Sequence, residues 1–181
     1  MMIVFNKPYG VLSQFTDSET PQRPTLAGFG LPPEVYPAGR LDHDSEGLLL
    51  LSNDGARIAQ ISSPKFKWPK TYLIQVEGIA SEEQLQALAA GMTLNDGPTL
   101  PAKARSLQVS PDWLWPRKPA IRVRKTVPDS FVELTIREGR NRQVRRMSAA
   151  VGLPTLRLIR IAIGPYRLDG LAPGQWREES M

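Results

Sequence analysis

The densest group of reactive side chains is Gly39-Arg40-Leu41-Asp42-His43-Asp44-Ser45-Glu46-Gly47, bounded on both sides by apolar residues. Charge packed onto a short loop beside a buried segment is costly unless it is paired or used, and catalytic groups are often carried on such loops. Asp42, His43, Asp44 and Glu46 are metal-ligand types. However, His43 is the only histidine, and neighbours in a turn rarely all face one ion, so no metal is expected. A Ser-His-Asp hydrolase would need His43 wedged between its own partners, and the chain has no Gly-x-Ser-x-Gly elbow. The remaining alternative to a catalytic loop is an ordinary turn with a structural Arg–Asp pair.

A second cluster runs from Arg137 to Arg146 and holds five arginines beside one glutamate. A helix starting near Asn141 and ending at Gly152 would place Val144, Met147, Ser148 and Val151 on its inner stripe, with Arg142 and Arg145 sharing an adjoining face. Surface helices usually mix Lys with Glu, whereas an arginine-only face suits forked contacts to phosphate. A third basic stretch, Arg117 to Lys125, follows Trp113 and Trp115; rings and cations together suit an RNA surface, and the competing role for both tryptophans is core packing. Net charge is +5, yet from Lys103 to Arg167 there are 15 Lys/Arg against 4 Asp/Glu. Such asymmetry fits a phosphate-binding face.

The elements that must carry these clusters follow from periodicity and punctuation. Strands are expected at Met2–Phe5, Leu48–Leu51, Lys70–Glu77, Ala102–Val109, Phe131–Arg137 and, last of the long ones, Thr155–Ile163. Thr25–Phe29 fits one helical turn, and Asn53 or Asp54 can cap a short helix carrying Ile58 and Ile61. Ser81-Glu82-Glu83-Gln84 is a capping box for a helix ending at Gly91, and Asn95-Asp96-Gly97 is a hairpin turn. Roughly eight strands and three helices imply an α+β fold with a mixed, largely antiparallel central sheet flanked by helices. With 181 residues there is chain enough for a real core. No apolar run reaches the length of a membrane span, no secretory signal opens the chain and there are no cysteines, so a cytoplasmic location is expected.

Five ordered motifs resemble those of the pseudouridine synthase superfamily, in the branch typified by the A-type enzyme of small-subunit ribosomal RNA. Phe5-Asn6-Lys7-Pro8-Tyr9-Gly10 resembles the opening motif. Gly39-Arg40-Leu41-Asp42 through Leu51 resembles the motif holding the catalytic aspartate. Lys70-Thr71-Tyr72, the basic segment Glu138 to Met147, and Leu158 to Gly164 resemble the remaining three. Thr93 to Pro101 and Trp113 to Arg117 resemble members acting on large-subunit (23S) ribosomal RNA. The resemblance implies isomerisation of one uridine to pseudouridine, without cofactor or metal. It assigns Asp42 as the catalytic carboxylate, Arg145 as its cationic partner, and Tyr72 as the ring packed on the flipped base. It further implies Arg40, Leu158, Arg142, Arg160 and Lys70 as substrate-binding residues, and large-subunit ribosomal RNA as the partner of a monomer. Many relatives carry an S4-like RNA-binding module ahead of the core. Here a single catalytic domain over residues 1–181 is expected, as two subdomains around a central cleft with no S4-like module. The competing function is a non-catalytic RNA-binding or ribosome-assembly factor.

Overall fold

Met2-Ile3-Val4-Phe5 and Leu48-Leu49-Leu50-Leu51 are apolar without alternation, as strands covered on both faces must be. Both become strands in the computed structural model, which describes residues 1–122, 124 and 126–180. In chain order the elements are β1 (Met2–Lys7), β2 (Tyr36–Pro37), β3 (Glu46–Ser52), α1 (Gly55–Ser62), β4 (Lys70–Glu77), α2 (Glu82–Ala90), β5 (Thr93–Leu94), β6 (Gly97–Pro98), β7 (Lys103–Leu107), β8 (Asp129–Ile136), α3 (Gln143–Ala150), β9 (Thr155–Ile163), β10 (Tyr166–Arg167) and β11 (Trp176–Glu179). Single 3-10 turns occupy Leu26–Phe29 and Pro64–Phe66. The class is α+β, with largely antiparallel strands and few helices. No helix among the described residues is long and apolar enough to cross a membrane.

The chain divides into two compact units, one built from Met1–Lys67 and Arg160–Met181, the other from Trp68–Ile159. In the first, β1 lies between β11 and β3, antiparallel to both, with Ile3 opposite Leu51 and Phe5 opposite Leu49. Every residue of β1 and β3 is buried. Ile3, Phe5, Leu49 and Leu51 pack with Val11, Leu26 and Val35, and the Phe5 and Phe29 rings meet at 5.2 Å. Each such leucine or phenylalanine contributes about 1.5–3 kcal/mol by leaving water. Asp54 caps α1 by accepting the N–H groups of Ala56 and Arg57, and Ile61 is that helix's buried residue.

In the second unit the alternation of β4 sends Tyr72, Ile74 and Val76 into one core. β8 pairs with β4, setting Tyr72 opposite Leu134 and Ile74 opposite Val132, and β7 pairs with the far side of β8. α2 supplies Leu85 and Leu88 to this core, and α3 supplies Val144 and Met147. The α2 capping box is formed as expected: Ser81 Oγ accepts from Gln84 N at 3.2 Å while Gln84 Oε1 accepts from Ser81 N at 2.9 Å.

Three features depart from expectation. α3 begins at Gln143, because Arg142 takes the left-handed conformation (φ 51°, ψ 32°) that ends the preceding loop. The two-residue strands β2, β5, β6 and β10 are too short to show periodicity. β11 reads Trp-Arg-Glu-Glu and has no apolar alternation. It exists because β1 offers it an edge, and Arg177 fixes it by donating to the carbonyls of Arg167 and Asp169 at 2.6 Å each.

α2 stops at Gly91, whose φ of +85° is unfavourable for any side chain, and a Cβ there would lie 2.7 Å from the Thr99 carbonyl oxygen. Gly91→Ala should destabilise the protein by more than about 1 kcal/mol, read as a lower urea midpoint. An unchanged midpoint would mean that the turn relaxes freely.

Candidate active site

Asp42 occupies the first position of a turn, accepting the Ser45 N–H at 3.0 Å on its own carbonyl. The peptides on either side of it are held from outside. Ser13 Oγ donates to Leu41 O at 2.7 Å and accepts from Leu41 N at 3.0 Å, while Gly10 N–H donates to His43 O at 2.8 Å. Gly10 reaches that carbonyl with φ +84°, a conformation glycine adopts without strain. Within the turn Asp42 and Asp44 are half-buried, His43 is exposed, and Ser45 and Glu46 are buried. The Tyr9 and His43 rings lie 6.3 Å apart.

The segment that clamps the turn is shaped in its own right by Lys7. This lysine is fully buried at the end of β1, and its Nζ donates to Pro8 O at 2.9 Å and Val11 O at 2.8 Å. Burial pushes its ammonium down to about 7, against the pull of Glu46, Asp44 and Asp42, with Arg160 adding to the fall. Arg160 is itself buried; its Nε donates to Leu48 O at 2.9 Å, and its Nη2 is a buried donor without a hydrogen-bond partner among the described residues. The first unit therefore brings Asp42, Arg160 and Lys7 into one electrostatic neighbourhood. Arg40 stays apart from it, exposed, donating to Gln14 Oε1 at 3.1 Å.

The second unit carries the other expected site residues. Tyr72 and Leu158 are buried in one cluster with Val144 and Met147. Lys70 is half-buried, with Nζ donating to Trp68 O at 3.2 Å. Arg142 and Arg145 line one cavity of about 400 Å³, with Asp96, Asn141, Arg146 and Ala149. Two arginines of the cluster have a different role. Arg146 grips Asp96 with two bonds, at 2.8 and 3.1 Å, and Arg140 donates to the carbonyls of Gly97 and Pro98. These contacts pin the β5–β6 hairpin beside the arginine loop, and the Arg146 hydrogen bonds hold the Asp96 carboxyl below its usual range. Arg140 and Arg146 are thus engaged by the protein's own acceptors, although the expectation is that most of the five arginines meet phosphate.

Sequence reasoning passed over the residues that hold the site. Gln143 is buried, accepting Arg140 N–H at 3.2 Å and donating to Glu138 Oε1 at 3.0 Å; the same carboxylate oxygen accepts Leu100 N–H at 2.8 Å. A buried glutamine on a helix expected to bury only its apolar stripe leaves no signal in hydropathy. For Lys7 there was a signal, a cation closely following four apolar strand residues. Among the described residues no group of three or more His, Asp or Glu is placed to hold a metal ion.

Residues 1–150 match the family described as RNA pseudouridylate synthase, and the chain belongs to that family. A ribosomal large subunit pseudouridine synthase E of Xanthomonas campestris pv. campestris is 63% identical over 177 residues, spanning 98% of this chain and 94% of that protein. A protein of the same description from Vibrio vulnificus is 53% identical over 180 residues, spanning 99% of this chain and 75% of its own length. A crystal structure of a pseudouridylate synthase, 34% identical, superposes with a TM-score of 0.80 over 99% of this chain and 70% of that one.

The buried lysine makes stability depend on pH. Lys7 titrates near 10.5 when unfolded and near 7 when folded, so between these values the unfolded chain holds the extra proton and stability rises with pH. Below about pH 7 the cost of burying the cation is present in full. Lys7→Met should flatten this rise across about pH 7–10 in urea titrations, whatever it does to mean stability. A slope equal to that of wild type would mean that Lys7 keeps its ordinary affinity for protons.

Proposed function

We propose that the chain isomerises one uridine of large-subunit ribosomal RNA to pseudouridine, with Asp42, Tyr72 and Arg145 as catalytic residues and Arg40, Lys70, Arg142, Leu158 and Arg160 binding the substrate. The reading extends to a monomer working in the cytoplasm on that RNA. Its substrate comes from relatives named as large-subunit synthases at 53–63% identity. The observation that supports the site assignment is the clamp on Asp42: hydrogen bonds to Leu41 and His43 hold the backbone from which its half-buried side chain projects.

The reaction breaks the C1′–N1 bond, turns the uracil and joins C1′ to C5; C5 loses a proton and N1 gains one, so substrate and product are isomers. No oxidant, reductant or energy source enters that balance. Asp42 must be ionised to attack or to stabilise a developing cation, and the chemistry is compatible with attack on the sugar, attack on the base, or elimination. Motif position assigns Arg145 as the cation that would favour that ionised form. Tyr72 packs its ring on the base and is the candidate to take the C5 proton. Leu158 lines the apolar side of the base. The unsatisfied Nη2 of Arg160 is a donor suited to a polar group of the substrate. Because C5 and C1′ are shielded within a helix, the uridine flips out at a cost of roughly a few kcal/mol, offset by contacts to the arginine face.

Tritium release from large-subunit ribosomal RNA labelled at uridine C5, run with EDTA, tests this directly. Wild type should release tritium and Asp42→Asn should release none while still folding and binding RNA. Binding without release by wild type would instead make the protein an RNA-binding assembly factor. Arg145→Leu should be inactive and less stable if Arg145 is the partner of a carboxylate, by less than the loss of a fully buried pair because Arg145 and Asp42 are each half-buried. Arg145→Leu/Asp42→Leu should recover part of that loss; a double variant no more stable than the single would show that the two do not act as a pair.

A further inference from the structure

We propose that Trp113 is a stacking platform for an unpaired base of the RNA substrate, distant in the RNA from the uridine that reacts. This rests on RNA being the substrate. Trp113 lies in the connection between β7 and β8 and is 50% exposed. It does not stand alone. Its ring meets that of Trp115 at 5.8 Å, tilted by 48°, and Trp115 in turn lies 5.7 Å from the guanidinium of Arg157, which is buried on β9. The result is a ladder of planar groups, anchored in the unit and ending in an indole open to solvent.

The surrounding loop is built to keep that indole in place. Leu114 N–H closes a turn on Pro111 O at 3.1 Å, and Arg117 fastens the chain by donating to Pro119 O at 2.9 Å and Leu156 O at 3.4 Å. Pro111, Pro116 and Pro119 further restrict the backbone. A rigid, half-exposed ring loses little freedom when something stacks on it. Charge identifies what does so. From Pro111 to Arg122 the bases are Arg117, Lys118 and Arg122 and the sole acid is Asp112, with Lys118 and Arg122 exposed. Arg124, next along, is paired with Glu77 at 2.8 Å and belongs to the protein rather than to a ligand. An aromatic face beside exposed cations matches a nucleobase and its phosphates, and only an unpaired base can offer its face to a protein ring. Arg157 and Leu158 are consecutive on a strand and point to opposite sides, so the ladder stands across β9 from the Leu158–Tyr72 cluster. Trp113 therefore contributes to affinity and not to the chemical step.

The test uses the intact protein and large-subunit ribosomal RNA fragments. Trp113→Ala should weaken binding by about tenfold, within the roughly 5- to 150-fold spanned by single base–aromatic stacks, and Trp113→Phe by much less. Single-turnover tritium release at saturating RNA should match wild type. Abasic nucleotides walked outward from the target uridine should reveal one position that weakens wild type about tenfold and leaves Trp113→Ala unaffected. Independently of that variant's folding, wild-type tryptophan emission should be quenched by intact RNA and less so by the RNA abasic at that position. Wild-type affinity in Trp113→Ala, or additive losses at every abasic position, would overturn the platform. Failure of wild type to bind RNA at all would instead overturn the function on which it rests.

Discussion

The first unit holds the Asp42 turn from several directions, which is the fixation a carboxylate proposed to act on one atom of a large, flexible substrate would need. Asp42 belongs to a turn closed within itself by one hydrogen bond, from Ser45 N–H to the Asp42 carbonyl. Further fixation comes from outside the turn, from the hydrogen bonds of Ser13 and Gly10 to the backbone of Leu41 and His43. Those donors are in place because Lys7 gathers the carbonyls of Pro8 and Val11 beneath them, and Lys7 is in place because β1 is buried between two strands.

The second unit solves a related problem with arginine. Five guanidinium groups on one loop and helix start repel one another, and the helix begins only after a residue in the left-handed conformation. Arg140 and Arg146 resolve part of that repulsion by turning to a hairpin that supplies carbonyls and the Asp96 carboxylate. Arg142 and Arg145 are left lining the cavity. Identical side chains on one short stretch thus take different places, two gripping the hairpin and two lining the cavity.

How much of this could be read from the sequence varied with the kind of signal. β4, β9 and α2 fell where alternation, length and the Ser81–Gln84 box placed them, because each is specified by local chemistry. Asp42, Arg142 and Arg145 stood out because charge was concentrated where apolar neighbours made it conspicuous. What stayed hidden is what depends on a distant partner. β11 is a strand only through β1, Gln143 is buried only through Glu138, and Ser13 is a clamp only through Leu41. None of these residues differs in type or spacing from ordinary loop or surface positions.

The first unit is also discontinuous in sequence, since it needs the chain beyond Arg160 as well as the chain before Lys67. During synthesis its opening strands emerge first yet cannot be completed until their partner β11 is made. At roughly 5–20 residues per second, that leaves β1 waiting about 10–35 seconds with one side unpaired. The second unit is continuous and can close on itself earlier. The middle of this protein is therefore poised to fold before its beginning, and the run Met2–Phe5 is the stretch a nascent-chain chaperone would have most cause to cover.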